Sequence, residues 1–302
     1  MTVPKFLQVS NQVHCVCKLQ MSIGESPYWH PKTKQLYWVD AIPGCIYQID
    51  PETRALRSWS MPEEVGCLAA CEGGGLVVAL RKGFYQFDLN TAKTTSLFKV
   101  HDEPATNRFN DGKTDRQGRF WCGSLDEADK SPTGSLYRLD HRLRCERLVE
   151  GIICSNALCW SPDGSIMYFG DSTRRTVWAW DFDTSTGAIS NRREFVVIPS
   201  RDGVPDGATV DSEGYVWIAH WGGWRVVRYD PKGRIERSLL LPVSQPTCPA
   251  FGGQDMTTLY ITSAAFGLNN DALDQEPLAG SVFAAEVGIT GIAETPFRLN
   301  RS

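Results

Sequence analysis

The stretch DRQGRFWCGSL at residues 115–125 is a glycine turn followed by a short strand of alternating aromatic and small residues. Five further segments share this pattern: PKTKQLYWVDA (31–41), CEGGGLVVALR (71–81), SPDGSIMYFGDS (161–172), DSEGYVWIAHW (211–221) and GQDMTTLYITSA (253–264). Alternating β-branched and aromatic residues favour strands, while Asp-Gly, Glu-Gly and Gln-Gly place glycines where turns need positive φ. The chain therefore repeats one turn-and-strand unit six times.

Each of these segments is followed by a further strand and preceded by a first strand. The opening residues of the first strands are 41, 44, 46, 50 and 41 residues apart, and they are Glu25, Gly66, Asn110, Asn156, Asp206 and Thr247. Repeats of this length and strand content are typical of propeller blades. We therefore predict an all-β fold, a six-bladed β-propeller that occupies residues 1–302 as one domain.

The last repeat is one strand short. It ends near GSVFAAEVG (280–288), whereas KFLQVSNQVHCVCKLQ (5–20) precedes the first repeat and has the composition of a strand. Pairing the N-terminal strand with the last blade would close the ring and remove exposed strand edges. We expect this closure.

Composition limits the partners. The net charge of -4 provides no basic surface for nucleic acid, and no apolar run approaches the length of a membrane span. The N-terminus has no export signal, so we expect a cytoplasmic protein with no nucleic-acid, membrane or obligate protein partner. The ten cysteines lack paired CxxC spacing and are expected to be free, mostly buried thiols.

The tryptophans divide into two groups. Trp38, Trp121 and Trp217 hold equivalent places in their repeats and are expected to pack between blades. Trp221 and Trp224 depart from that pattern, and for them packing and a place beside a pocket stay equally open. Loops at 101–107, 125–133 and 199–204 are expected to complete that pocket.

Four of the six strand openings carry a carboxylate or an amide: Glu25 in IGESP, Asn110 in RFNDG, Asn156 in CSNAL and Asp206 in VPDGA. The innermost strands of a propeller line its central channel, so these openings would meet at one mouth. Each residue alone is also an ordinary turn or surface residue. Two carboxylates and two amides in a shielded cavity would nevertheless repel or stay unpaired unless a cation lay among them. Such oxygen ligands suit a hard divalent cation, with zinc a further candidate.

Arg108 lies two residues before Asn110, hence on the same side of an extended strand. Its planar guanidinium could receive an anionic or carbonyl oxygen of a substrate. No GxSxG segment and no Ser, His and Asp order suggest a nucleophilic triad.

Six segments, in order, resemble the SMP-30/gluconolactonase/regucalcin family over essentially the whole chain. They are IGESPYWH (23–30), RFNDGKTDRQGRFWCGS (108–124), SNALCWSPDG (155–164), VPDGATVDSEGYVWIA (204–219), QPTCPAFGGQDMTTLYITSA (245–264) and PLAGSVFAAEVG (277–288). The resemblance implies a six-bladed propeller that hydrolyses the intramolecular ester of sugar acids with one divalent cation. Calcium, zinc, magnesium, manganese and iron all remain open for this cation.

The same resemblance implies roles for individual residues. Glu25, Asn156 and Asp206 correspond to the metal ligands, and Arg108 and Asn110 to the substrate contacts. Asp206 also corresponds to the proton-transfer residue. Relatives often carry an acidic lid residue after the segment that corresponds to GRFWCGS, and the candidates here are Asp126 and Glu127.

The working hypothesis is a lactonase in carbohydrate catabolism, in which the cation polarises the lactone carbonyl and Asp206 handles the proton. Three alternatives stay open. The same site could hydrolyse phosphotriesters or other esters, the protein could be a non-catalytic calcium-binding regulator, or the propeller could be a protein-binding scaffold. The scaffold would need no ring of oxygen ligands, and the chain lacks the GH and WD signature of WD repeats.

Overall fold

The computed structural model describes residues 13–299, which fold into six four-stranded antiparallel sheets. The first strand of each sheet contacts the first strand of the next sheet, and the sixth contacts the first. The sheets are therefore the blades of a closed ring, and the predicted six-bladed β-propeller is confirmed.

Blades 1 to 3 follow one another along the chain. Blade 1 consists of β2 (Gly24–His30), β3 (Gln35–Asp40), β4 (Cys45–Ile49) and β5 (Leu56–Ser60). Blade 2 consists of β6 (Val65–Ala70), β7 (Leu76–Leu80), β8 (Gly83–Phe87) and β9 (Thr94–Lys99). Blade 3 consists of β10 (Asn107–Thr114), β11 (Phe120–Asp126), β12 (Gly134–Leu139) and β13 (Cys145–Ile152).

Blades 4 and 5 repeat this order, and blade 6 also recruits the N-terminal strand. Blade 4 consists of β14 (Ser155–Trp160), β15 (Ile166–Asp171), β16 (Thr176–Phe182) and β17 (Ile189–Val197). Blade 5 consists of β18 (Val204–Val210), β19 (Val216–Trp221), β20 (Arg225–Tyr229) and β21 (Ile235–Leu240). Blade 6 consists of β22 (Pro246–Gly252), β23 (Thr258–Ser263), β24 (Val282–Glu286) and β1 (Val13–Cys17).

Ring closure follows the sequence prediction. The strand β1 pairs antiparallel with β24, with Val13 opposite Ala285. The part of the predicted N-terminal strand at 5–12 lies outside the described residues. Two short helices complete the described structure, a 3-10 turn at Ser200–Asp202 and the α-helix α1 at Asn270–Gln275. No helix within residues 13–299 is long and apolar enough to cross a membrane.

The core lies between the blades. Trp38, Trp121 and Trp217 are fully buried there, which confirms their predicted packing role. Two of them share an anchor that recurs with the repeat, since the indole N–H of Trp121 donates to Asp115 at 3.0 Å and that of Trp217 donates to Asp211 at 2.8 Å. The cysteines form no disulfide, and each is buried or half-buried, as expected.

A C-terminal segment, residues 288–299, crosses the end of the propeller opposite to the strand openings; we call it the C-terminal strap. Its backbone bonds to blades 2 and 3, because Phe297 N–H donates to the Ala70 carbonyl at 2.7 Å and Arg298 N–H to the Gly118 carbonyl at 2.9 Å. The strap also carries Glu294, whose carboxylate lies 3.3 Å from the Lys113 ammonium. The sequence pattern did not predict this segment, because it adds no strand to a blade.

Candidate functional site

Every first strand carries a β-bulge at its opening. In each blade the pairing with the second strand shifts at or directly after the opening residue, namely Glu25, Gly66, Asn110, Asn156, Asp206 or Thr247. A bulge inserts an unpaired residue and re-aims the side chains beside it. In blades 1 and 4 the residues after the opening, Ser26 and Ala157, have positive φ of 51° and 56°. The bulges explain why these side chains face the channel rather than a neighbouring blade.

The five residues predicted for the site lie together. A cavity of about 580 Å³ at the channel mouth is lined by Glu25, Arg108, Asn110, Asn156 and Asp206. The other two openings, Gly66 and Thr247, do not line it. A second cavity of about 450 Å³ lies between two turns of blade 2 and contains none of the predicted site residues.

The amides are held by a connected set of hydrogen bonds. Arg108 donates to Asn110 Oδ1 at 3.0 Å, and Asn110 Nδ2 donates to the Ser155 carbonyl at 2.9 Å and to Asn156 Oδ1 at 3.3 Å. Asn156 Nδ2 in turn donates to Ser172 Oγ at 2.8 Å. These contacts fix the orientation of both amide groups, and Asn156 Oδ1 faces Asn110.

The carboxylates of the site are almost excluded from water. Glu25 and Asp206 are 5% and 6% exposed, and both line the same cavity. Burial, followed by the charge of Asp111, raises the pKa of Glu25. Burial, followed by the charge of Glu25, raises the pKa of Asp206. Burial and like charge both disfavour two ionised carboxylates in one cavity, and a cation between them would relieve that repulsion.

A third buried carboxylate, Asp111, directly follows Asn110 on β10. Asp111 accepts a hydrogen bond from the Leu158 N–H at 2.9 Å, and burial raises its pKa. Lys113, further along the same strand, donates to the Ala208 carbonyl at 2.8 Å. Burial alone would lower the pKa of the Lys113 ammonium. The negative groups around it, Glu294 first among them, outweigh burial, and the net effect is a raised pKa.

The donor set fits a hard divalent cation. Glu25 and Asp206 provide carboxylate oxygens and Asn156 an amide oxygen, the ligand types that calcium, magnesium and manganese prefer. Among the residues that the structure describes, no group of three His, Cys, Asp or Glu side chains is arranged to hold a metal ion. The candidate site therefore depends on the amide as its third ligand, and water would complete the shell.

The rim of the cavity differs from the sequence prediction. Asp126 does not line it, because its Oδ2 accepts the Lys130 and Ser131 N–H groups and closes its own turn. Glu127 and Asp129 do line it, and Asp129 was not among the lid candidates. Asp129 adopts a positive φ of 51°, a turn conformation that no sequence pattern specified.

The remaining rim predictions are partly met. Trp221 lines the cavity, while Trp224 is buried and does not line it. Of the three predicted loops, 125–133 and 199–204 contribute lining residues, but none of the described residues in 101–107 does. Ser172, which orients Asn156, was also missed, because a lone serine in a turn carries no sequence signal of its partner.

Two carboxylates, two amides and one guanidinium meet at the mouth of the channel. The fold and this site place the protein in the class of six-bladed propellers that have a polar pocket at the end of the central channel. The family model for the SMP-30/Gluconolactonase/LRE-like region matches residues 23–265. The chain belongs to this family.

Three relatives illustrate the relationship. The chain is 35% identical to the 6-deoxy-6-sulfogluconolactonase of Pseudomonas putida, over 96% of this chain and 99% of the relative. It is 37% identical to the L-arabinolactonase of Azospirillum brasilense, over 95% and 96% of the two chains. Its structure is similar to that of regucalcin, a calcium-binding protein from Agrobacterium tumefaciens, with a TM-score of 0.91, 27% identity, and coverage of 94% and 97%.

Proposed function

We propose that this protein is a sugar lactone hydrolase that opens aldonolactones to the corresponding acids with the help of one divalent cation. The observation that carries the proposal is that Glu25, Asn156 and Asp206 share one cavity with Arg108 and Asn110. Two relatives that cover nearly the whole chain are named as lactonases, which supports the same reaction class. The cavity volume of about 580 Å³ is also in the range of small-molecule sites.

Glu25, Asn156 and Asp206 would hold the cation, which when bound supplies a Lewis acid next to the lactone carbonyl. Arg108 orients the substrate by donating hydrogen bonds to its oxygen atoms, and Asn110 contacts a substrate hydroxyl through its Oδ1, which also accepts from Arg108. The Asp206 carboxylate accepts the proton of the attacking water and returns it to the ring oxygen as the ester bond breaks. The step balances: the water oxygen bonds to the carbonyl carbon, the bond from that carbon to the ring oxygen breaks, and the product is a hydroxy acid.

Hydrolysis of other esters on the same residues is the alternative reaction, and calcium-dependent regulation without catalysis is the alternative role. The first would use Arg108 to bind an anionic or phosphoryl oxygen, for which its donors are suited. The similarity to a calcium-binding regucalcin supports the second alternative as far as cation binding goes.

A panel of pentono- and hexonolactones and a phosphotriester, each with and without EDTA, separates these functions. We expect lactone hydrolysis that EDTA abolishes and that a divalent cation restores. Asp206→Asn should lower kcat for the best lactone by at least about 100-fold, the usual contribution of a positioned acid–base group. Near-normal turnover in that variant, with cation still bound, would rule out the proton-transfer role. Cation binding without any hydrolysis would favour the regulatory role.

A further inference from the structure

The wall of the site cavity contains a glutamine whose side-chain oxygen is unpaired. Gln245 lines the cavity, and its Oε1 is buried without a hydrogen-bond partner among the described residues. An unpaired buried amide oxygen is unfavourable, and such groups in folded proteins usually have a protein or water partner. The side chain of Gln245 is therefore available to a ligand in the cavity.

The backbone holds Gln245 in place. Its carbonyl oxygen accepts from the Ala264 N–H at 3.0 Å, and Pro246, which follows it, begins β22. A residue before proline is restricted to extended conformations, which keeps the glutamine at the start of this strand. The backbone is thus fixed, while the long side chain has several rotatable bonds through which its amide can turn toward a ligand.

The wall around Gln245 is apolar. Ile23 pairs with Ala264, the residue that bonds to Gln245, and the Phe266 N–H donates to the Ser22 carbonyl at 3.0 Å. Ile23 and Phe266 both line the cavity. Among the described residues of blade 6 and its loops, Gln245 contributes the one polar side chain of the cavity wall. A substrate hydroxyl at this wall therefore has the Gln245 amide as its hydrogen-bond partner, since an amide both donates and accepts.

The ring places this glutamine across the channel from the candidate substrate contacts. The first strands contact one another in ring order, so blade 6 lies opposite blade 3, which carries Arg108 and Asn110. The candidate cation ligands come from blades 1, 4 and 5. A lactone that Arg108 holds at one end would extend past the cation site toward Gln245.

We propose that Gln245 is a substrate-binding residue that hydrogen-bonds a hydroxyl group of the lactone at the end opposite to Arg108. This inference rests on the proposed lactonase function. It assigns to the pocket a polyhydroxylated lactone that spans the channel mouth, with one hydroxyl group on the blade 6 amide and sugar C–H groups against Ile23 and Phe266. A site that hydrogen-bonds a hydroxyl group disfavours the analogue that lacks it, because the polar group of the protein then stays unpaired.

The test combines Gln245→Met with a set of monodeoxy analogues of the lactone that the wild type hydrolyses fastest. Methionine is an unbranched side chain that fills similar space but has no amide, so the variant removes the hydrogen bond and keeps the packing. We expect kcat/KM for the parent lactone to fall by roughly 3- to 10-fold, the effect of one neutral hydrogen bond, chiefly through a higher KM. For one deoxy analogue, kcat/KM should be equal in the wild type and in Gln245→Met, and that analogue identifies the bound hydroxyl group.

Gln117→Met is the matched control. Gln117 is also half-buried and has a buried, unpaired Oε1, but it lies in the turn between β10 and β11 and does not line the cavity. Its substitution should leave kcat/KM unchanged for every lactone in the set.

An unchanged kcat/KM for the parent lactone in Gln245→Met overturns the inference. A loss of equal size for the parent and for all deoxy analogues also overturns it, because a purely structural role would produce that pattern. Both results leave the lactonase function standing. Failure of the wild type to hydrolyse any lactone overturns the proposed function itself, and with it this inference.

Discussion

Removal of the Ser172 hydroxyl should weaken cation binding although none of the candidate cation ligands is itself substituted. Ser172 Oγ accepts from Asn156 Nδ2 at 2.8 Å and donates to the Pro205 carbonyl at 2.6 Å. These bonds fix the orientation of the Asn156 amide, whose Oδ1 accepts from Asn110 Nδ2 in the cavity that Glu25 and Asp206 also line. In Ser172→Ala the remaining contact of Asn156 Nδ2 is the Cys154 sulfur at 3.9 Å, which is weak.

The magnitude follows from the cost of leaving a buried polar group unpaired, about 1–3 kcal/mol. In the cation-free variant the amide can turn to recover a partner, but cation binding would force it back, so the penalty falls on the bound state. At about 1.4 kcal/mol per factor of ten, we expect the Kd to rise by roughly 5- to 100-fold.

The assay is isothermal titration of EDTA-treated, buffer-exchanged protein with calcium, magnesium, manganese and zinc in turn. Ser155→Ala is the matched control. Ser155 is fully buried one residue from Asn156, and its hydroxyl has no hydrogen-bond partner within the described residues. The substitution keeps the Ser155 carbonyl that binds Asn110. Equal Kd values for Ser172→Ala and Ser155→Ala would refute the orienting role of Ser172.

Two further predictions concern stability. Phe297 lies fully buried in the C-terminal strap, so Phe297→Ala should lower the free energy of unfolding by about 3–5 kcal/mol. Phe266 is 51% exposed, and Phe266→Ala should lower it by less than about 1 kcal/mol. Urea unfolding measures both values, and similar losses in the two variants would contradict the packing role of the strap. Burial lowers the pKa of His220 from 6.5 to about 4. The unfolded chain therefore gains a proton at a higher pH than the folded chain, and stability should fall by up to about 3 kcal/mol as pH drops from 6.5 to 4. Unfolding of His220→Gln over the same pH range should lack this component, and an unchanged pH dependence would count against it.

The repeat explains how much of the fold could be predicted. Periodic turns and alternating strands define six blades, and the incomplete last repeat indicates ring closure by β1. The same register brought Glu25, Asn156 and Asp206 to one mouth, since equivalent positions in a ring must converge. Predictions that depended on equivalence between repeats are therefore the ones that the geometry matched.

What could not be predicted lies where the repeats differ. Asp129 belongs to the turn between β11 and β12, and Asp126 closes that turn instead of facing the cavity. Ser172 lies in the turn after β15, where its hydroxyl contacts both Asn156 and the Pro205 carbonyl of β18 in the next blade. The C-terminal strap contacts several blades at once, so no single repeat encodes its position.

The two openings that carry no carboxylate or amide show that the asymmetry of the ring has a packing cause. A Cβ on Gly66 would lie 2.6 Å from the Asn110 carbonyl oxygen and 2.7 Å from that of Phe109, closer than real contacts allow. Blade 2 thus has no side chain where the backbone of β10 approaches it. In blade 6, Thr247 Oγ1 instead donates to the Gly24 carbonyl at 2.5 Å and ties the last blade to the strand that carries Glu25. Blade 2 therefore makes room for the strand that carries Arg108 and Asn110, and blade 6 is tied to the strand that carries Glu25, while the other four openings present a carboxylate or an amide.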